Sequence, residues 1–237
     1  GKDVLVLLRF SGTDYVDELF EYRVEALATD PSIDPDKLLG THTQIELLDR
    51  VGNSVWFDGM VTRVVWAGPY ENGHRYDLEV RPWFWLASLR RNQRIFHNKS
   101  VVEILQELFQ SYAALGAPHF ENRLRRTYPK LEYTVQYRET DLHFARRLME
   151  RFGISFAFAQ TQGNHCLIML DHVEAYEDVP GNSRPYFGVD GHHQEDQEHF
   201  WEFLPERNVT TGGMRLTDYN FKTPTAAMEV EQSSPAP

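Results

Sequence analysis

The chain has 237 residues, 41% of them apolar and 13% aromatic, and its 35 acids against 24 bases leave a formal net charge of −11. That apolar share supports an ordinary globular core, and the 15 Phe, 11 Tyr and 5 Trp favour broad sheets and interfaces over helical bundles. The acidity argues against a nucleic-acid partner, whose phosphates would be repelled, and no apolar run approaches the ~18 residues that span a bilayer.

Val4-Leu5-Val6-Leu7-Leu8, bracketed by Asp3 and Arg9, is too short for a membrane span and lacks a signal-peptide pattern; it reads as a strand. In residues 20–27, Phe20, Tyr22, Val24 and Ala26 alternate with Glu21, Arg23 and Glu25, a period of two that buries one face. Thr29 to Pro35 is a loop by its turn chemistry. Gln44–Leu48 and Val55–Val65 are further strands, and the Asn72-Gly73 turn sends Arg75–Arg81 back to pair. Short strands with frequent turns point to a small β-barrel or sandwich over residues 1–90.

Residues 91–172 change character and read as an α+β region. Ser100 and Glu103 form a capping box, and Ile104, Leu105, Leu108, Phe109 and Tyr112 follow at helical spacing, with Gly116 and Pro118 as the stop. Tyr133–Tyr137 is a strand. Thr140 caps a second helix from Asp141 to about Arg151, Asp141 stands where the helix dipole favours negative charge, and Gly153 is the C-cap. Ile154–Ala159 and His165–Leu170 form a hairpin, which makes Phe152 to Phe158 a buried strand rather than a membrane wedge. Cys166 is the only cysteine, so no intrachain disulfide can form, which suits a reducing cytoplasm; its apolar setting assigns it to packing. Residues 173–237 read as a polar, irregular segment, with a strand in Gly213–Phe221 and linker composition from Gln232.

Several constellations invite chemistry. Gly191 to His199 holds three histidines and three acids, and Glu195 and His199 would share a helix face, but without a His-Glu-x-x-His match or a cysteine partner the stretch reads as a solvated acidic loop. Glu139, Asp141 and His143 suggest acid–base work, yet residues two apart on a helix diverge by about 200°. Trp83, Phe84 and Trp85 with Arg81, Arg90, Arg91 and Arg94 have the composition of a single-strand stacking site, but the acidity favours core and subunit interface. No Gly-x-Ser-x-Gly, Walker loop or dinucleotide fingerprint is present. These readings give no catalytic residue, cofactor or metal site.

Three stretches resemble the VgrG family, the spike proteins of type VI secretion, and more remotely the baseplate hubs of contractile phage tails. The first is Arg81-Pro82-Trp83-Phe84-Trp85-Leu86 running on to Phe96 and the capped helix. The second, and most specific, is Tyr137-Arg138-Glu139-Thr140-Asp141, then a helix, then Gly153-Ile154. The third is Asp218-Tyr219-Asn220-Phe221-Lys222-Thr223-Pro224. The resemblance makes Trp83, Arg138, Glu139, Thr140, Asp141, Gly153, Asp218, Tyr219, Phe221 and Pro224 structural motif residues. Arg138 and Glu139 are expected to pair with neighbours or with another subunit.

The resemblance implies a β-dominated α+β hub of small barrels, as in contractile-phage tail hubs, with the first barrel in residues 1–90 and the start of an incomplete second barrel in residues 173–237. In the full-length protein it implies a homotrimer that continues the sixfold secretion tube and carries an oligonucleotide-binding-type domain and a β-helical spike. This chain therefore reads as a piece of a longer protein. The implied role is docking the spike on the tube and helping deliver effectors during sheath contraction, with the tube protein, baseplate subunits, and effectors or adaptors as partners. No nucleic acid is implied, and membrane contact only through the C-terminal spike. Localisation would be assembly in the bacterial cytoplasm followed by secretion. The alternatives are the hub of a contractile phage tail or related injection particle and, from another class, a cell-wall hydrolase.

Overall fold

The structure, a computed structural model, describes residues 5–49, 52–113, 119–176, 183–188 and 199–233. The chain divides into two compact units, Gly1–Asp178 and Val179–Pro237.

The first unit opens with an antiparallel sheet of β1 (Val6–Thr13), β2 (Glu21–Ala28), β3 (His42–Leu48), β4 (Ser54–Tyr70) and β5 (Gly73–Arg81), with a short helix, α1 (Pro35–Leu38), before β3. The spatial order is β1-β2-β5-β4-β3. The period-two pattern sets the register: Tyr22 pairs with Val80, Val24 with Leu78 and Ala26 with Tyr76, so one face is apolar on both strands. The long β4 carries register shifts at Val61/Arg63 and Trp66/Gly68, and Gly68 adopts φ 98. Such bulges increase local twist, and the sheet curls into a half-barrel with β1 and β3 as its edges. Gly59 is required where strands crowd, since a Cβ there would stand 2.5 Å from Val80 Cγ1.

A 3-10 turn, Trp83–Ser88, leads into β6 (Arg91–Lys99), α2 (Val101–Gln110), β7 (Phe120–Asn122), β8 (Leu131–Thr140), α3 (Asp141–Phe152), β9 (Ser155–Thr161) and β10 (Asn164–Leu170). β6 and β8 pair as an antiparallel ribbon, and β10 joins β7 in parallel and β9 antiparallel. One apolar core runs through the unit. It joins Phe20, Val24 and Leu78 of the curled sheet to Phe84 of the turn, Leu105 and Phe109 of α2, Phe144 and Leu148 of α3, and Phe156 and Leu167 of the β9–β10 hairpin. Trp83 and Phe84 meet Phe109 edge-on at 5.4 and 5.2 Å between ring centroids. Among the described residues no helix is long and apolar enough to cross a membrane.

Both helix starts match expectation: Ser100 and Glu103 bond reciprocally, and Thr140 Oγ1 accepts from His143 N. The first strand, however, runs to Thr13, well past Leu8, because pairing with β2 supplies its hydrogen bonds whatever its exposure. α2 ends at Gln110 with Ser111 as its C-cap, earlier than expected; Gly116 and Pro118 lie outside the described residues. β6 was hidden by its composition, since Phe96 is its one fully buried residue. Phe156 and Phe158 are buried strand residues, as expected.

In the second unit β11 (Gly213–Thr217) pairs with β12 (Glu229–Ser233), which reaches into the segment of linker composition. The strand expected over Gly213–Phe221 stops at Thr217, and the chain turns back over residues 221–226.

Candidate functional site

The Tyr-Arg-Glu-Thr-Asp segment is the junction of β8 and α3. Asn92 pairs with Glu139 and Arg94 with Gln136, so Gln93 alone stands opposite both Tyr137 and Arg138, a bulge in the ribbon. Arg138 adopts φ 53, the left-handed region that glycine occupies most easily. Thr140 then caps α3, and the helix ends at Gly153, φ 60. Arg126 Nη2 donates to Phe152 O at 2.9 Å and to Gly153 O, covering the carbonyls that end the helix.

Asp141 is fully buried and binds four elements together. Arg90 Nε donates to its Oδ2 at 2.6 Å, Tyr112 Oη to Oδ2 at 2.7 Å, and Arg94 Nη2 and Gln136 Nε2 to Oδ1 at 2.7 Å each. Burial pushes its pKa up, but the hydrogen bonds from Tyr112, Gln136 and Arg90 and the charge of Arg94 outweigh that and hold it below the usual value. The neighbouring acid turns the other way: Glu139 accepts from Arg147 Nε at 3.2 Å and Nη2 at 2.5 Å and lies 3.1 Å from His143 Nδ1. Glu139 and His143 thus meet outside the helix while Asp141 is spent on structure, and the three do not form one array.

Trp83 is held at both ends. Its indole Nε1 donates to His119 O at 3.2 Å, and its backbone N–H donates to His165 Nε2 at 2.9 Å. His165 Nδ1 faces Asp58 Oδ1 at 3.3 Å, Asp58 N donates to Gln160 Oε1 at 3.0 Å, and Gln160 Nε2 donates to Tyr22 Oη at 3.1 Å. This chain stitches the curled sheet, the β9–β10 hairpin and the Trp83 turn together. His42, on edge strand β3, stacks on His165 at 5.6 Å and brings Nδ1 to 3.5 Å from Asp58 Oδ2. The hydrogen bond to Asp58 raises the His42 pKa despite partial burial.

Among the described residues, His42, Asp58 and His165 are the one group whose donor atoms converge as metal ligands would, within 4.8 Å. The hydrogen bonds decide against that use. His165 Nε2 spends its lone pair on Trp83 N–H, so Nδ1 of the neutral ring carries the proton and has no lone pair for a metal. The trio is a lock on Trp83. It went unseen in the sequence because its members lie 16 and 107 residues apart and none belongs to a spaced motif.

The remaining aromatic–basic cluster is also structural: Trp83 and Phe84 are buried, Arg81 lies 5.2 Å over Trp85, and Arg90 and Arg94 serve Asp141. In the second unit Asp218 N donates to Met228 O at 3.1 Å, and Tyr219 and Phe221, 70% and 75% exposed, leave Pro224 on an open turn. Of the acidic, histidine-rich stretch, residues 191–198, including Glu195, lie outside the described residues; His199 meets Phe187 edge-on at 5.2 Å.

The model of the phage tail baseplate hub (GPD) family matches residues 13–237. The chain belongs to the phage tail baseplate hub family. Within this family it is 35% identical over 238 residues to the type VI secretion system spike protein VgrG1a of Pseudomonas aeruginosa, covering 100% of this chain and 36% of that protein. The hub chain therefore spans about a third of the length of such curated relatives. A solved E. coli component of the type VI secretion system, described as similar to the T4 bacteriophage tail proteins gp27 and gp5, superposes with TM-score 0.68 at 22% identity, covering 78% of this chain and 50% of that one. A Francisella PdpA–VgrG complex gives TM-score 0.53 at 11% identity over 89% of this chain and 43% of that one. The likeness to VgrG read from the motifs holds, and so does the β-dominated hub fold.

Proposed function

We propose that this chain is the hub region of a type VI secretion spike, docking the spike on the secretion tube and transmitting the push of sheath contraction that delivers effectors. The observation that carries the reading is similarity to a spike protein along the whole chain rather than at one motif. Its role is mechanical. Asp141 and Trp83 are tied into the core by buried hydrogen bonds, and Glu139 of β8 turns to His143 while Asp141 turns inward, an arrangement that fits stiffness rather than turnover.

The full-length protein assembles as a homotrimer with barrels at residues 1–90 and, beginning in residues 173–237, a second one, joined by the α+β region 91–172. Its partners are the tube protein, baseplate subunits, and effectors or adaptors; a VgrG protein stands in complex with PdpA in one solved relative. It is assembled in the bacterial cytoplasm and leaves with the tube. Deleting the gene in its own host tests this: release of tube protein into the medium should stop and return with the intact gene. Unchanged release in the deletion strain overturns the spike reading and leaves the phage-tail or injection-particle hub.

A further inference from the structure

The groove beside the bulge is a built feature that the core does not use. It is shallow and open to solvent, about 620 Å³ between the outer face of the β6–β8 ribbon and α3, and it is lined by residues that include Arg91, Tyr137, Arg138, Glu139, His143 and Arg147. Glu139, the carboxylate among these, is already taken by Arg147 and His143. Arg91 and Arg138 are exposed, and neither has an ion-pair partner among the described residues, in a chain with eleven more acids than bases. The groove is thus a local excess of positive charge on an acidic molecule.

Three further observations point outward. Arg138 occupies a left-handed backbone position, at a bulge, where glycine would be the unstrained choice. Its guanidinium lies 5.1 Å from the Tyr137 ring, which is 61% exposed. Ile95 and Tyr133, at 54% and 56% exposure, continue an apolar strip along the ribbon face, with Val135 in register with Ile95. Arginine and tyrosine beside open apolar area are the composition of protein interfaces, whereas a nucleic-acid strand would meet the repulsion of the rest of the surface.

We propose that this groove docks an acidic peptide segment of a protein partner, its carboxylates meeting Arg91 and Arg138 and its apolar side chains lying on Tyr137 and Val135. The site is read from the groove alone and stands whether or not the spike reading does. A fluorescein-labelled, end-blocked peptide of alternating Glu and Leu, titrated with the chain at low salt, tests it by anisotropy. Arg138→Gly relieves the backbone strain, so its melting temperature should be unchanged or raised while its affinity falls about tenfold or more. Arg207→Gln, the same charge change at an exposed residue of the second unit, should bind as the parent does. The proposal is overturned by absence of binding, by equal affinity for Arg138→Gly, or by equal affinity for a Lys–Leu peptide, which would mean apolar adsorption. Displacement of the peptide by a lower concentration of oligothymidylate would assign the groove to nucleic acid instead.

Discussion

A buried carboxylate with four donors is the residue on which the α3 junction turns. Removing one partner of a buried charged network leaves the others uncompensated and costs ~3–5 kcal/mol. Asp141→Ala is therefore expected to lower stability in urea by about that amount. Because its pKa is depressed in the folded state, Asp141 contributes stability above its unfolded value that is lost as pH falls through the folded one. His42 works with the opposite sign. Its folded pKa is raised, so its contact with Asp58 stabilises below the unfolded value, ~6.5, and fades as pH rises through the folded one. His42→Ala should therefore lose more melting temperature at pH 5.5 than at pH 8.5; equal losses would contradict the ion pair. The importance of Asp141 was only half readable in advance. Its place in the first helical turn is local, but Arg90, Arg94 and Tyr112 come to it from 51, 47 and 29 residues away, and sequence spacing carries no trace of that.

At the scale of elements, what could be read was what is decided locally. Ser100 with Glu103, Thr140, and Gly153 at φ 60 each act within one turn of their own helix, and each stands where the sequence put it. Thr140→Ala should cost about 1 kcal/mol by loss of the cap. Gly153→Val should cost more: a Cβ would meet Arg126 Nη2 at 3.1 Å on top of the left-handed backbone, so both ends of the Arg126 clamp loosen. Melting curves of the two variants check both. β6 is not legible in the sequence because Arg91-Asn92-Gln93-Arg94 shows no apolar alternation; it is a strand because β8 pairs with it and α2 and α3 cover its inner face at Phe96. The end of α2 is not legible for a related reason, since Ser111 closes the helix with backbone bonds that any residue could make.

For the whole molecule, the β-dominated α+β class followed from aromatic content and short strands, and the motifs carried the family. The curl of the first sheet did not follow, because it depends on two register shifts in β4 that the pattern of apolar residues does not record. Helices and a hairpin pack against this half-barrel through one apolar core. As proposed, this piece seats a spike on a tube. Native mass spectrometry of the full-length protein mixed with the tube protein of the same bacterium tests it most directly. A trimer of the hub protein bound to a single tube ring is the predicted species; separate trimers and rings at concentrations where tube rings themselves stack would contradict it.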